Sequence, residues 1–334
     1  MKILFCMPNG QVKDTFMTKA NIEKLNALGE VFYNETDVDF TQEEYAEKIV
    51  DMDVVIIGWK SPVLDEKVLA NANKLKVVAH LAGSVAPFFC DEVFNRGIKV
   101  ICGNEDMAQS VAEGVIAYIL AYNREICKYQ TGLKEHGTWK PATFETLSLV
   151  SKTVGIVSYG AIPKYLAKML YGFDCKILVY SRGDLGAELE KYNMTQVSLE
   201  ELFAKSDIIS LQTALNQYTV DMFDKKYLSL IKDGALLVNT ARAKIIKEED
   251  LIAELKTGRF SAILDVYTTE PLPSDNPYRE MPNVFMMPHM AGPTNECRSI
   301  LANTMITEIP KIIAGEPSIH EVDLAKFKSM SRPL

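Results

Sequence analysis

The chain is expected to fold as an α/β protein of two doubly wound domains. Three observations carry that expectation. Its 334 residues are about twice the ~150 of a typical domain, so two separate cores can be buried. Short runs rich in Val, Ile and Leu alternate with helical patterns, the mark of parallel sheets crossed over by helices. These runs fall into two series, divided by one long helical stretch.

The first series occupies residues 2–6, 53–58, 75–81 and 98–102, with amphipathic segments such as 65–72 between its members. From Asp106 a helical pattern then runs unbroken to Lys128, opened by Asp106 and Gln109 at the spacing of a capping box. At 1.5 Å per residue such a helix reaches on the order of 30 Å, enough for an interdomain spine. Residues 129–149, with Gly132, Gly137, Trp139 and Pro141, show no sustained period. They read as a loop or arm whose aromatic content suits a subunit contact. The second series covers 153–158, 176–180, 207–212, 235–240, 261–266 and 284–287, the tally of a six-stranded dinucleotide-binding sheet. A final helical stretch over 294–314 leads to a polar tail that returns to the first domain.

Composition narrows the function classes. Hydrophobic residues make up 48% and charged residues 24%, which excludes wholesale disorder. The net charge of −8, from 36 basic and 44 acidic residues, is spread without a block of one sign and argues against nucleic acid and anionic membrane as partners. Cys6, Cys90, Cys102, Cys127, Cys175 and Cys297 form no C-x-x-C, so no zinc site or redox motif is legible and no metal is expected. They read as buried thiols in a reducing cytosol. The opening MKILFCMPNG is too short an apolar run for a signal peptide, no stretch approaches a membrane span, and the closing Arg332-Pro333-Leu334 matches no sorting signal. A cytoplasmic protein is the expectation.

Thr153-Val154-Gly155-Ile156-Val157 reads as a strand, and Ser158-Tyr159-Gly160-Ala161-Ile162-Pro163 then stands where a G-x-G-x-x-G would, before a helix over 164–171. Only the middle glycine is kept. That is the position where the backbone approaches a pyrophosphate, and the amides of Ala161 and Ile162 could hold phosphates at the positive end of the helix. Pro163 is tolerated in a first turn. Alone, one glycine at such a turn fits a plain connection equally well. Ser181 and Arg182 end the next strand, about 21 residues past Gly160, where an acidic residue ordinarily takes the ribose hydroxyls. Ser181 could bond a 2′-phosphate and Arg182 neutralise it. The cofactor therefore reads as NAD(H) or NADP(H) with a lean to NADP(H), the alternative being a surface arginine with NAD still bound.

Three polar residues lie just past strand ends, where open α/β sheets gather ligands. Arg242 follows Leu236-Leu237-Val238-Asn239-Thr240-Ala241, Glu270 falls in Asp265-Val266-Tyr267-Thr268-Thr269-Glu270-Pro271-Leu272, and His289 in Met287-Pro288-His289-Met290-Ala291-Gly292-Pro293-Thr294. Each alone is more often structural. In this order and setting they closely resemble the D-isomer-specific 2-hydroxyacid dehydrogenase family, over residues 75–294. His80-Leu81-Ala82-Gly83-Ser84-Val85 and Ser110-Val111-Ala112-Glu113 also fit its first-domain loop and spine helix.

The resemblance implies a flavodoxin-like substrate domain, discontinuous over 1–103 and 296–334, and a Rossmann dinucleotide-binding domain over 104–295. The active site would lie in the cleft between them, and closure would exclude water. It implies a reversible reduction of a 2-keto acid to a D-2-hydroxy acid. His289 would supply the proton that the nascent alkoxide takes, since histidine titrates near neutrality. Glu270 would favour the charged imidazolium. Arg242 would grip the substrate carboxylate and polarise the ketone through its rigid fork of donors, and the amides of Gly83 and Ser84 would complete the carboxylate site. Asp265 would orient the nicotinamide side, while Thr213, Ala214, Ala241, His289, Ala291 and Gly292 line the cofactor's path.

Glu270 also separates this chain from formate dehydrogenases, which resemble it but carry Gln there because formate oxidation exchanges no proton at an alcohol. Departures from the family pattern are Ser158 and Pro163 in place of glycines, Gln212 for a histidine and Ala214 for a proline. Lys60 after Trp59 is a further oddity: either it faces the cleft and meets a second anionic group of the substrate, or it is a surface lysine. With no sequence beyond 334, the added regulatory domain of some phosphoglycerate dehydrogenases is expected to be absent, which lowers, without excluding, a serine-pathway role. A homodimer is implied, with the spine helix and residues 129–149 as contacts. A second reading is a regulatory protein that senses nicotinamide dinucleotides, as corepressors resembling this family do.

Overall fold

The computed structural model describes residues 1–332. In chain order its strands are β1 (Lys2–Phe5), β2 (Glu30–Tyr33), β3 (Val54–Ile57), β4 (Val77–His80), β5 (Lys99–Cys102), β6 (Thr153–Val157), β7 (Lys176–Tyr180), β8 (Met194–Gln196), β9 (Ile208–Leu211), β10 (Leu236–Asn239), β11 (Ser261–Leu264), β12 (Val284–Met286) and β13 (Glu321–Val322). Among the described residues the chain forms two compact units, one of 1–110 with 293–332 and one of Val111–Gly292.

The first unit holds a sheet ordered β13-β5-β4-β3-β1-β2, parallel except for β13, which pairs antiparallel with β5. Its order from β2 to β5 is the flavodoxin-like one. Side chains alternate between two apolar layers, as the strand period of two requires. Leu4, Val55, Val78 and Val100 face one layer, while Ile3, Phe5, Val54, Ile56 and Val77 meet Leu301 and Met305 on the other. Those last two belong to the helix Asn295–Ile313, capped by Thr294, whose side chain accepts from the Cys297 amide.

The second unit holds seven parallel strands ordered β12-β11-β10-β9-β6-β7-β8. The chain runs outward from β6 to β8 and then restarts at β9 on the other side of β6. This reversal opens a crevice at the carboxyl ends of β6 and β9, where such sheets bind ligands.

Strands β3, β4, β9 and β10 are buried along their whole length, and strands covered on both faces read as continuous apolar runs. That is why these positions are legible in the sequence. The edge strands β2 and β8 are not, because Glu30, Thr195 and Gln196 break the apolar signal, so the second sheet has seven strands where six are expected.

Four other expectations are corrected. The spine helix is Asn104–Asn123, and a second helix, Ile126–His136, follows a break at Glu125, which adopts the left-handed φ of 48°. Residues 129–149 are thus helical in their first part, and this short helix buries none of its residues. Asp106 lies inside the spine helix's first turn rather than capping it, its carboxylate 3.9 Å from the ring of His320. The cysteines are all free, but only Cys6, Cys102 and Cys297 are buried, and Cys127 is exposed. Among the described residues no helix is long and apolar enough to cross a membrane, and no group of three His, Cys, Asp or Glu could hold a metal ion.

Candidate active site

Parallel pairing brings the carboxyl ends of β6, β7, β9, β10, β11 and β12 to one edge, and each expected polar residue of the second unit follows one of them. Ser158 to Ile162 follow β6, Ser181 and Arg182 follow β7, Thr213 and Ala214 follow β9, Ala241 and Arg242 follow β10, Asp265 and Glu270 follow β11, and His289, Ala291 and Gly292 follow β12. Gly83 and Ser84 follow β4 in the first unit, where the Ser84 hydroxyl donates to the Ser331 carbonyl at 2.7 Å. Lys60, after β3, is exposed at a φ of 66°.

The helix Ala161–Tyr171 begins directly at Gly160, three residues earlier than expected, so the first-turn amides of Ala161 and Ile162 lack intrahelical acceptors. Gly160 has an ordinary backbone with φ −111°, and a Cβ there would meet nothing within 4 Å. The chain's own packing does not demand glycine at 160. Open space in front of a helix start fits a phosphate group approaching the backbone. Ser158, where the first glycine of the motif would stand, holds a φ of 84° while its amide donates to the Tyr180 carbonyl at 2.8 Å. That backbone costs an L side chain and not glycine. Ser158→Gly is expected to raise unfolding stability by about 1 kcal/mol, read as a higher midpoint in urea.

Past β7, Gln196 Nε2 donates to the carbonyls of Ser181 and Gly183, and the Leu185 amide donates to Gln196 Oε1. The loop bearing exposed Arg182 is therefore shaped by an edge-strand glutamine. Gln212, in place of a histidine, donates to Ser210 Oγ at 3.0 Å and Thr240 Oγ1 at 3.1 Å, tying the ends of β9 and β10 together.

Asn239, buried at the end of β10, shapes the turn that carries Arg242. Its Nδ2 donates to the Arg242 carbonyl at 3.0 Å and its Oδ1 accepts from the Ala241 amide at 3.1 Å. One Arg242 nitrogen donates to the Ala241 carbonyl at 2.6 Å, leaving the rest of the fork for a ligand. Burial pulls the Arg242 pKa down, and the nearby Glu270 charge opposes it.

Glu270 Oε2 stands 2.7 Å from His289 Nδ1, and Oε1 accepts from the Tyr267 amide at 2.9 Å. The carboxylate is thereby fixed at both oxygens and the imidazole is oriented by one nitrogen, with Nε2 left for proton exchange. His289 itself sits at a φ of 56°. Asp265 is 1% exposed, and its oxygens accept from the amides of Met290 at 2.7 Å and Ala291 at 2.9 Å. It thus anchors the His289 loop from beneath. Burial raises the Asp265 pKa, and those amides act against the rise.

Sequence reasoning singles out neither Asn239 nor Tyr118, whose hydroxyl donates to Asp265 Oδ1 at 3.3 Å. A polar residue closing an all-apolar strand, and a hydroxyl-bearing ring within an apolar helix, are the signals that mark them.

A family model described as "D-isomer specific 2-hydroxyacid dehydrogenase, NAD binding domain" matches residues 116–291. The chain is 30% identical over 327 residues to a glyoxylate reductase of Pyrococcus furiosus, covering 94% of this chain and 96% of that one. It is also 30% identical over 317 residues to a D-3-phosphoglycerate dehydrogenase of Methanocaldococcus jannaschii, covering 92% of this chain and only 59% of that relative. Among solved structures, an acyclic imino acid reductase in complex with NADPH and D-Arg superposes with a TM-score of 0.81 at 26% identity, covering 96% of this chain and 100% of that one.

Proposed function

Because the chain belongs to the D-isomer specific 2-hydroxyacid dehydrogenase family, we propose that it catalyses the reversible, nicotinamide-dinucleotide-dependent reduction of a 2-keto acid to a D-2-hydroxy acid. The observation that carries this reading is the 2.7 Å pair of His289 and Glu270, on the same sheet edge as Arg242. When bound, the dinucleotide supplies or accepts a hydride. The protein's part is binding and proton management. Arg242 holds the substrate carboxylate and polarises the keto oxygen. His289 Nε2 donates a proton to that oxygen as the C–H bond forms, and Glu270 stabilises the imidazolium before the transfer. In the reverse direction the same nitrogen takes the hydroxyl proton. Gly83 and Ser84 are proposed as amide donors to the carboxylate.

The residues for the dinucleotide are Gly160, Ala161 and Ile162 at the phosphates, and Ser181 with Arg182 at the adenosine ribose. Thr213, Ala214, Ala241, Ala291 and Gly292 lie along its path, with Asp265 acting on the nicotinamide end through the loop it anchors. An exposed Arg182 and the absence of an acidic residue at 181 and 182 favour NADP(H), and the NADPH bound by the imino acid reductase supports that choice. The exposed Ile126 and Leu133 of the short helix, with Trp139 and Phe144 beyond it, support a homodimer built on this segment. The protein is read as cytoplasmic.

The test is oxidation of NADH and NADPH with glyoxylate, hydroxypyruvate, pyruvate, 2-ketoisocaproate and phenylpyruvate, followed by absorbance. Turnover with at least one acid, faster with NADPH at equal concentrations, is expected. Tight dinucleotide binding with no turnover of any acid would count against the reading, and equal rates with both dinucleotides would count against Arg182 as the selector.

A further inference from the structure

Helical spacing places Gly114 and Tyr118 of the spine helix one turn apart on the same face. That face meets the loop after β12. A Cβ at residue 114 would stand 3.0 Å from the Ala291 backbone, so glycine is what lets helix and loop come this close. One turn on, Tyr118 is 8% exposed, and its hydroxyl donates to Asp265 Oδ1 at 3.3 Å. The Met290 and Ala291 amides donate to the same carboxylate. Three donors from two elements thus converge on one buried charge, and two of them belong to the residues directly after His289.

We propose that Tyr118 is a positioning residue for the reaction, holding Asp265 and, through it, the loop that presents His289. This rests on the reading of His289 as the proton donor. A buried carboxylate is stable only when its oxygens are satisfied, and Tyr118 supplies the only side-chain donor to it among the hydrogen bonds of the described residues. The titratable groups facing Asp265 are Tyr118 from the spine helix, His289 from the loop, and Tyr267 from the turn after β11. Tyr267 does not replace Tyr118, because its hydroxyl lies 2.9 Å from the carbonyls of Leu264 and Met287 and donates there. Without the Tyr118 hydroxyl, the anionic form of Asp265 loses one support. Its carboxyl then titrates at higher pH, and the left-handed backbone at His289 is held less firmly.

The experiment compares Tyr118→Phe, Asp265→Asn and the double variant by steady-state kinetics. In parallel, carboxyl ¹³C NMR follows Asp265, its signal identified by its loss in Asp265→Asn. Tyr118→Phe keeps the ring that fills the site. It is expected to lower kcat about three- to tenfold with KM for the keto acid nearly unchanged, and to move the Asp265 midpoint and the acid limb of kcat to higher pH. In the Asp265→Asn background the same change is expected to cost nothing further, as residues acting through one another are not additive. Unchanged kcat and an unmoved Asp265 midpoint in Tyr118→Phe would overturn the proposal, and so would an equal loss on top of Asp265→Asn. If the wild-type protein reduces no keto acid while the Asp265 midpoint still rises in Tyr118→Phe, the functional reading fails and the link from Tyr118 to Asp265 stands.

Discussion

His289→Asn is expected to lower kcat for keto-acid reduction by about 10²- to 10⁴-fold, the span attributed to a positioned general acid. Asparagine is the informative replacement because residue 289 occupies the left-handed region at φ 56°, which Asn tolerates and most side chains do not. The loop should therefore keep its shape, with its Met290 and Ala291 amides still on Asp265. Loss of rate then reports the proton and not the fold. Fluorescence titration with the dinucleotide should give an affinity close to that of the wild type. A kcat within tenfold of wild type, about 1.4 kcal/mol in barrier, would mean that another group protonates the alkoxide. Glu270→Gln tests the partner of the pair. An amide cannot pair with the imidazole as the carboxylate 2.7 Å away does, so kcat for keto-acid reduction should fall, measured in steady state at saturating keto acid and dinucleotide.

Arg242→Lys is the second large effect. Guanidinium presents a planar fork that matches a carboxylate at two points, whereas an ammonium is a point charge, so the exchange is not conservative. One Arg242 nitrogen is spent on the Ala241 carbonyl, and the Asn239 side chain holds the turn on which the residue stands. The remaining donors are pre-aimed, which is where their value in binding arises. Losing one charged hydrogen bond of about 1.5–3 kcal/mol should raise KM for the keto acid roughly 10- to 150-fold. The dinucleotide affinity should hardly change. An Asn239→Ala variant that keeps Arg242 but frees its turn should reproduce part of the same KM increase, which would separate the aim of the guanidinium from its charge.

How much of this was legible follows from where the residues stand. Arg242 and Glu270 come a few positions after the buried strands β10 and β11, which announce themselves as apolar runs, and His289 follows β12, a half-buried edge strand whose Val284-Phe285-Met286 is still apolar throughout. Their place at one sheet edge is therefore readable from the sequence. The edge strands β2 and β8 carry polar residues on an open flank and gave no comparable signal. The break at Glu125 was invisible for another reason: the apolar period continues across Arg124 and Glu125 into the next helix, and periodicity registers composition without registering a single residue's φ. Ser158 shows the same limit, since its substitution for a glycine was plain, but the retained φ of 84° was not.

By itself the sequence determined the alternation of strands and helices, the presence of two doubly wound sheets and the residue types available for proton transfer and carboxylate binding. These are local properties, set by the burial pattern and by side-chain chemistry. Only the tertiary structure decided which groups meet. The Glu270 carboxylate could face solvent, Arg242 or His289 until the ends of β11 and β12 were laid side by side. Tyr118 and Asp265 are 147 residues apart in the chain, and their hydrogen bond depends on strand order and on a glycine one turn before Tyr118. A hydrogen bond needs its partners within a few tenths of an ångström, a precision that packing supplies and a pattern of residues does not.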